Sequence, residues 1–122
     1  MSKIYLVDDQ PISNFITKKL LEIEGYQGTV KDFTNPREAM EFVSEDSDAI
    51  IFLDLNMPEM NGWEFLEMLQ SRNCRHRIII LTSSTSKIDV DKAKDYPAVI
   101  KYMVKPMNKQ KFSELSRLLK AS

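Results

Sequence analysis

Five short apolar runs, separated by amphipathic stretches, limit what this chain can fold into more than any other feature. They cover residues 4–7, a weaker 29–33, 49–53, 78–81 and 98–104. All but the second are nearly continuous in apolar residues and rich in Ile and Val. A strand with one wet face alternates, whereas a continuous run suits a strand buried on both faces, as in a parallel sheet covered by helices. The stretches between the runs read as helices. Ile12, Phe15, Ile16, Leu20 and Ile23 recur at helical spacing, with Pro11 suited to a first turn and Gly25 to a stop. They are expected to form the inward stripe. Asn35-Pro36-Arg37-Glu38 and Asn61-Gly62-Trp63-Glu64 open two more helices like capping boxes. In the second of these, Phe65, Leu66 and Leu69 are expected inside. A helix over 86–95 has a thin apolar face of Ile88, Val90 and Ala93 and is the least firmly held. Asn108 opens the last helix, with Phe112, Leu115 and Leu118 as its stripe.

Strict alternation of strand and helix implies a doubly wound α/β sheet with helices on both faces. The second run alternates apolar and polar residues, and the fifth carries Lys101, so both suit edges. That matches the flavodoxin-like order 2-1-3-4-5 with five helices. The chain has 122 residues, enough to bury roughly two-thirds of its unfolded surface in one core, and residues 1–122 read as a single domain. A net charge of −1 argues against bulk attraction to nucleic acid or an anionic membrane. One cysteine, Cys74, excludes an internal disulfide. The first apolar run is too short for a signal peptide or a span, so a cytoplasmic location is expected.

In such sheets the ligand site lies beyond the carboxyl ends of the strands. Strand 1 ends in Asp8-Asp9, strand 3 in Asp54, strand 4 in Thr82, and strand 5 runs into Lys105-Pro106. Three converging carboxylates repel one another unless a cation or a proton intervenes. Hard oxygen ligands completed by water suit Mg²⁺. Lys105 adds a fixed positive charge and Thr82 a neutral donor. These are the parts phosphoryl transfer requires, with a carboxylate as nucleophile.

Val7-Asp8-Asp9, Leu53-Asp54-Leu55-Asn56-Met57-Pro58 with Asn61-Gly62, Leu81-Thr82-Ser83 and Val104-Lys105-Pro106 stand in order and in register with the strands. In these motifs the chain closely resembles the CheY-like receiver domain of bacterial two-component response regulators. The resemblance implies that Asp54 is the phosphoacceptor. It implies that Asp9 binds Mg²⁺ directly, that Asp8 acts largely through water, and that the Asn56 backbone carbonyl is a further ligand. Lys105 matches the phosphoryl-binding lysine, Thr82 the switch hydroxyl, and Tyr102 the aromatic that turns inward on activation. Lys105-Pro106 is expected to be cis, with Pro106 in the tight turn. Asn56 and Ser84 occupy positions that tune dephosphorylation. Asn61 stands where the family more often has Asp. The implied partners are a histidine kinase or histidine phosphotransfer protein and a downstream protein target. The target would meet the face of helix 4, strand 5 and helix 5. A stand-alone regulator or phosphorelay intermediate is expected, without nucleic acid or membrane as partner.

Two other classes compete. A phosphatase with an aspartyl intermediate commonly needs a second acid two residues on, and Asn56 is there instead. A flavodoxin-like cofactor binder needs a phosphate-cradling loop after strand 1, where this chain has acids. An inactive adaptor is disfavoured because every active-site residue type is present. Taken singly, Asp8-Asp9 could be a cap with a solvated acid, Lys105 a surface lysine and Thr82 a loop residue bonded to its own backbone. His76, between Arg75 and Arg77, is expected to be exposed and without a role, and Cys74 to be an idle thiol. Met40, Met60 and Met68 are read as packing, and Trp63 as local packing beside the site. Lys109, Lys111, Arg117 and Lys120 are read as a solvated helix face, with partner binding as the lesser alternative.

Overall fold

The computed structural model describes residues 2–46 and 48–120, with nothing described of the Lys120 side chain. The elements in order are β1 (Ile4–Val7), α1 (Pro11–Ile23), β2 (Val30–Phe33), α2 (Pro36–Glu45), β3 (Ile50–Leu53) and α3 (Gly62–Ser71). They continue with β4 (Arg77–Thr82), α4 (Lys87–Ala93), β5 (Val99–Val104), α5 (Lys109–Ser113) and α6 (Ser116–Lys120). All strand pairs are parallel, and the order is β2-β1-β3-β4-β5. This is the flavodoxin-like sheet with β2 and β5 at its edges. Of the three inner strands, β1 and β3 are buried throughout and β4 in all but Arg77, whereas Lys31, Asp32 and Lys101 on the edges are exposed.

The period of two along each strand divides the core. Tyr5, Val7, Ile51 and Leu53 point to one face, where α2, α3 and Tyr96 cover them. Ile4, Leu6, Ile50 and Phe52 point to the other, beneath α1, α5 and α6. Trp63 is partly buried and stacks on Tyr96 at 5.6 Å, with the Lys92 ammonium 4.9 Å from its ring. Tyr96 donates to Glu67 at 2.6 Å, and this bond together with burial pushes its phenol up to about 12. No helix among the described residues is long and apolar enough to cross a membrane.

Three readings require correction. First, the apolar stripe of α1 faces outward: Ile12, Phe15, Ile16 and Ile23 are 64%, 55%, 43% and 56% exposed. The inward face carries Asn14, Thr17, Leu20 and Leu21. Asn14 belongs inside because its amide donates to the Asp8 and Phe33 carbonyls, each at 3.2 Å, tying α1 to the ends of β1 and β2. Second, the last helix is split. Glu114 and Leu115 bond back three residues, to Lys111 and Phe112, and the Ser113 hydroxyl donates to the Gln110 carbonyl at 2.7 Å. That local competition tightens the turn and starts a separate α6. Leu115, just before α6, and Leu119 within it are buried, with Leu118 half-buried.

Third, His76 is 3% exposed. Nδ1 accepts from the Ala49 N–H at 2.9 Å, and Nε2 donates to the Val43 carbonyl at 2.7 Å. The ring therefore joins the end of α2, the entry to β3 and the entry to β4, a long-range role that its charged neighbours conceal. His76→Leu is expected to lower the urea midpoint of unfolding, at about 1–3 kcal/mol for each backbone group left unpaired. An unchanged midpoint would show that the ring bonds contribute nothing net.

Candidate functional site

The parallel strands deliver their carboxyl ends to one edge, and the acids, hydroxyl and ammonium meet there. Asp8 and Asp54 are each 5% exposed, Thr82 is fully buried and Asp9 is half-buried. One carboxylate oxygen from each of Asp8, Asp9 and Asp54 can be chosen so that all lie within 4.8 Å of one another. Lys105 Nζ donates to Asp8 Oδ2 at 2.6 Å and lies 3.5 Å from Asp54 Oδ2. The other Asp8 oxygen accepts the Gln10 N–H at 2.9 Å. Asp8 is thus occupied by neighbours on both oxygens, while Asp54 has a long contact with Lys105 and a 3.3 Å bond from the Asn56 N–H.

Local sequence explains how each group arrives. Asn61 and Glu64 form a reciprocal capping box that starts α3 directly after the Asp54 loop. Gly62 is required by contact: a Cβ there would lie 2.6 Å from the Asp54 carbonyl oxygen and 2.8 Å from Leu55 Cα. Its absence lets the helix start pack onto the strand end. Leu55, Met57 and Met60 bury themselves in the core and anchor that loop, leaving Asn56 exposed. On the other side, the Lys105 N–H bonds the Thr82 carbonyl at 2.8 Å, and the Lys105–Pro106 peptide bond is cis.

Lys111, read from sequence as a solvated residue, belongs to this framework. Its ammonium donates to the Pro106 carbonyl at 3.0 Å and to the Val104 carbonyl at 3.3 Å, clamping the backbone on both sides of Lys105. Asn108, which caps α5 by accepting from the Lys111 N–H, was the available sequence signal. Tyr102 is partly buried against the α2–α3 side of the core, and its hydroxyl donates to the Ser84 carbonyl at 3.0 Å. Of the remaining basic residues, Lys109 and Arg117 are exposed.

The electrostatics are unbalanced. Burial pushes the Asp54 carboxyl above its ordinary range, and the Asp8 charge adds to this; Lys105, the Asn56 N–H and the nearby Thr82 hydroxyl oppose it. The Lys105 ammonium pairs with two of three clustered carboxylates, and the donor set is hard oxygen throughout. A small divalent cation fits such a set. Neutral sulfur or nitrogen donors of the kind that select softer metals are not among these ligands.

A 2-1-3-4-5 sheet with acids clustered at its carboxyl edge defines a receiver-type α/β domain. The model of the response regulator receiver domain matches residues 4–117, and the chain belongs to that family. Receiver domains are phosphoacceptor modules of two-component response regulators, supplied by histidine kinases, and they bind Mg²⁺ at an acidic pocket. The nitrate/nitrite response regulator homolog of Haemophilus influenzae is 33% identical over 88 residues, covering 72% of this chain and 42% of its own length. The transcriptional regulatory protein MalR of Bacillus subtilis is 30% identical over 115 residues, covering 92% and 47%. The chain therefore spans less than half the length of these curated relatives. Among solved structures, the Vibrio cholerae chemotaxis protein CheY4 superposes with a TM-score of 0.80 at 27% identity, covering 98% of each chain. The response regulator TrrA of Thermotoga maritima, in complex with Mg²⁺-BeF, does so at 0.76 and 28%, covering 98% of this chain and 99% of that one.

The raised Asp54 pKa has a definite sign in stability. The folded chain holds that proton where the unfolded chain has released it, so the site loses stability as pH rises through the window above the ordinary carboxylate range. In metal-free buffer, Asp54→Asn is expected to melt several degrees above the parent near neutral pH. The gap should shrink as pH falls toward about 4. A variant that melts at or below the parent at neutral pH would contradict the burial-driven strain.

Proposed function

We propose that this receiver takes a phosphoryl group from a phosphohistidine donor onto Asp54. A donor of this kind is a histidine kinase or histidine phosphotransfer protein. The carrying observation is the buried Asp54 carboxylate, short of compensating charge and flanked by Thr82 and Lys105. An Asp54 oxygen attacks phosphorus as the phosphorus–nitrogen bond to the donor imidazole breaks, leaving an acyl phosphate on Asp54 and the electron pair on the imidazole. The Lys105 ammonium shifts from Asp8 toward the arriving oxygens, and the Thr82 hydroxyl donates to another of them. Mg²⁺ held by Asp8, Asp9, Asp54 and the Asn56 carbonyl would neutralise charge on the transferred group. The chain on this reading is a phosphoacceptor switch and turns over no external substrate.

Thr82 drawn toward the phosphoryl group and Tyr102 following it inward alter the face of α4, β5 and α5. That face is offered to a downstream target, and the change is a shift between two populations. Asn56 and Ser84 border the route a hydrolytic water would take, and they set how long the acyl phosphate lasts. The receiver works this way alone, as a phosphorelay intermediate, or attached to an output unit of the kind its longer relatives' names describe.

The outward face of α1 supplies a place for the donor. Ile12 and Ile16 border a groove of about 360 Å³ that runs to Lys105, Pro106 and Met107, and Phe15 stands exposed beside it. An apolar face abutting the phosphoryl site suits an amphipathic helix of the donor protein.

Acetyl phosphate with Mg²⁺ is expected to form an acyl phosphate on the parent, detected by intact mass and by its lability to hydroxylamine, and not on Asp54→Asn. Equal labelling of the two would sink the assignment. Ile16→Glu is expected to keep acetyl phosphate labelling while slowing transfer from a phosphorylated histidine phosphotransfer protein by about tenfold, the equivalent of 1.4 kcal/mol. Equal slowing with both donors would remove α1 as the docking face.

A further inference from the structure

Ser84 meets three elements through its own atoms. Its N–H lies 3.3 Å from the Thr82 hydroxyl oxygen, on the side of the phosphoryl site. Its carbonyl accepts the Tyr102 hydroxyl of β5 at 3.0 Å. Its hydroxyl donates to Asp89 Oδ2, in the first turn of α4, at 2.6 Å, and accepts the Ser86 N–H at 3.3 Å. Two of these four contacts belong to the backbone and would form with any residue there. The other two need the hydroxyl, and the Asp89 bond has the short length of a charge-assisted O–H···O⁻ contact.

What Asp89 holds matters because α4 is otherwise weakly tied. It spans seven residues, its N-cap Ser86 makes no side-chain cap bond, and Ile88 is 78% exposed. A helix this short is not stable by itself and takes its position from its contacts. We propose that Asp89 is a positioning residue for the switch: by gripping the Ser84 hydroxyl it sets the Ser84 carbonyl at the place that Tyr102 reaches, and so couples Thr82, Tyr102 and α4 into one unit. Its functional meaning rests on the phosphoacceptor reading above, while the linkage itself belongs to the unphosphorylated chain. When the Thr82 hydroxyl turns toward a phosphoryl group, the long Ser84 N–H contact is the one given up. The Asp89 and Tyr102 bonds carry the displacement outward to α4 and β5. A coupling of this kind is a free energy shared by the members and lost when any one is removed.

A simpler role for Asp89 is as an acid favoured by the dipole at the start of α4. The two roles separate cleanly. Ser84→Ala removes the grip and leaves the Asp89 charge where it is.

The test uses the full chain labelled with 3-fluorotyrosine, whose four tyrosines give separate fluorine signals, with the Tyr102 signal assigned by Tyr102→Phe. In the unphosphorylated protein, Ser84→Ala and Asp89→Ala are each expected to move the Tyr102 signal toward the position of free fluorotyrosine. The double variant is expected to match either single one, Ser84→Thr to restore the parent position, and Tyr5, Tyr26 and Tyr96 to stay in place as proof of folding. A Tyr102 signal unmoved by Ser84→Ala, or additive shifts in the double variant, would overturn the proposal. Loss of Asp54 labelling by acetyl phosphate in the parent would instead sink the phosphoacceptor reading and leave the tyrosine result standing.

Discussion

The contact on which the site turns is the Lys105 ammonium held between Asp8 and Asp54 at the carboxyl edge of the sheet. A buried carboxylate costs several kcal/mol unless it is paired and hydrogen-bonded. Here two buried acids draw on the Lys105 ammonium, which sits nearer to Asp8, and a half-buried third acid stands beside them. The pair with Asp8 satisfies one acid and leaves Asp54 above its ordinary pKa range. That imbalance suits added positive charge, and the phosphoacceptor proposal rests on it.

Much of the fold serves to hold that imbalance in place. Adjacent β1 and β3 put Asp8 and Asp9 beside Asp54, and β4 and β5 bring Thr82 and Lys105 from the other side. Gly62 lets α3 start against the Asp54 strand end, and Asn14 ties α1 to the carbonyls that end β1 and β2. Lys111 fixes the carbonyls flanking Lys105. Ser84, Asp89 and Tyr102, the groups of the proposed linkage, lie one layer out, in the loop after β4, on α4 and on the edge strand β5.

The sheet was readable from sequence because strands buried on both faces must be continuously apolar, and the edge strands betrayed themselves through Asp32 and Lys101. The acids, Thr82 and Lys105 were readable because the fold puts them at strand ends. The face of α1 was not. Its periodicity is real, but Asn14 is inside for the Asp8 and Phe33 carbonyls it reaches, and Thr17 hides its hydroxyl on the Ser13 carbonyl of its own helix; no local pattern reports a partner on another element. His76 was hidden for the same reason: its bonds to Ala49 and Val43 span the chain, whereas Arg75 and Arg77 advertise solvent. The break between α5 and α6 comes from Ser113 competing for a backbone carbonyl, a choice that a helical stripe of Phe112 and Leu115 does not reveal. Lys111 looked like any surface lysine until the turn around Lys105 was in view.

Calorimetric titration of Mg²⁺ into the parent and into Asp9→Asn tests the charge imbalance most directly. Asp9 is the least buried of the three acids, so its amide can be accommodated without disturbing the core. The account predicts saturable binding at a single site in the parent, weakened by about tenfold or more in the variant, the scale of loss seen even for outer-sphere partners of a metal. Equal affinity in the two proteins would contradict it.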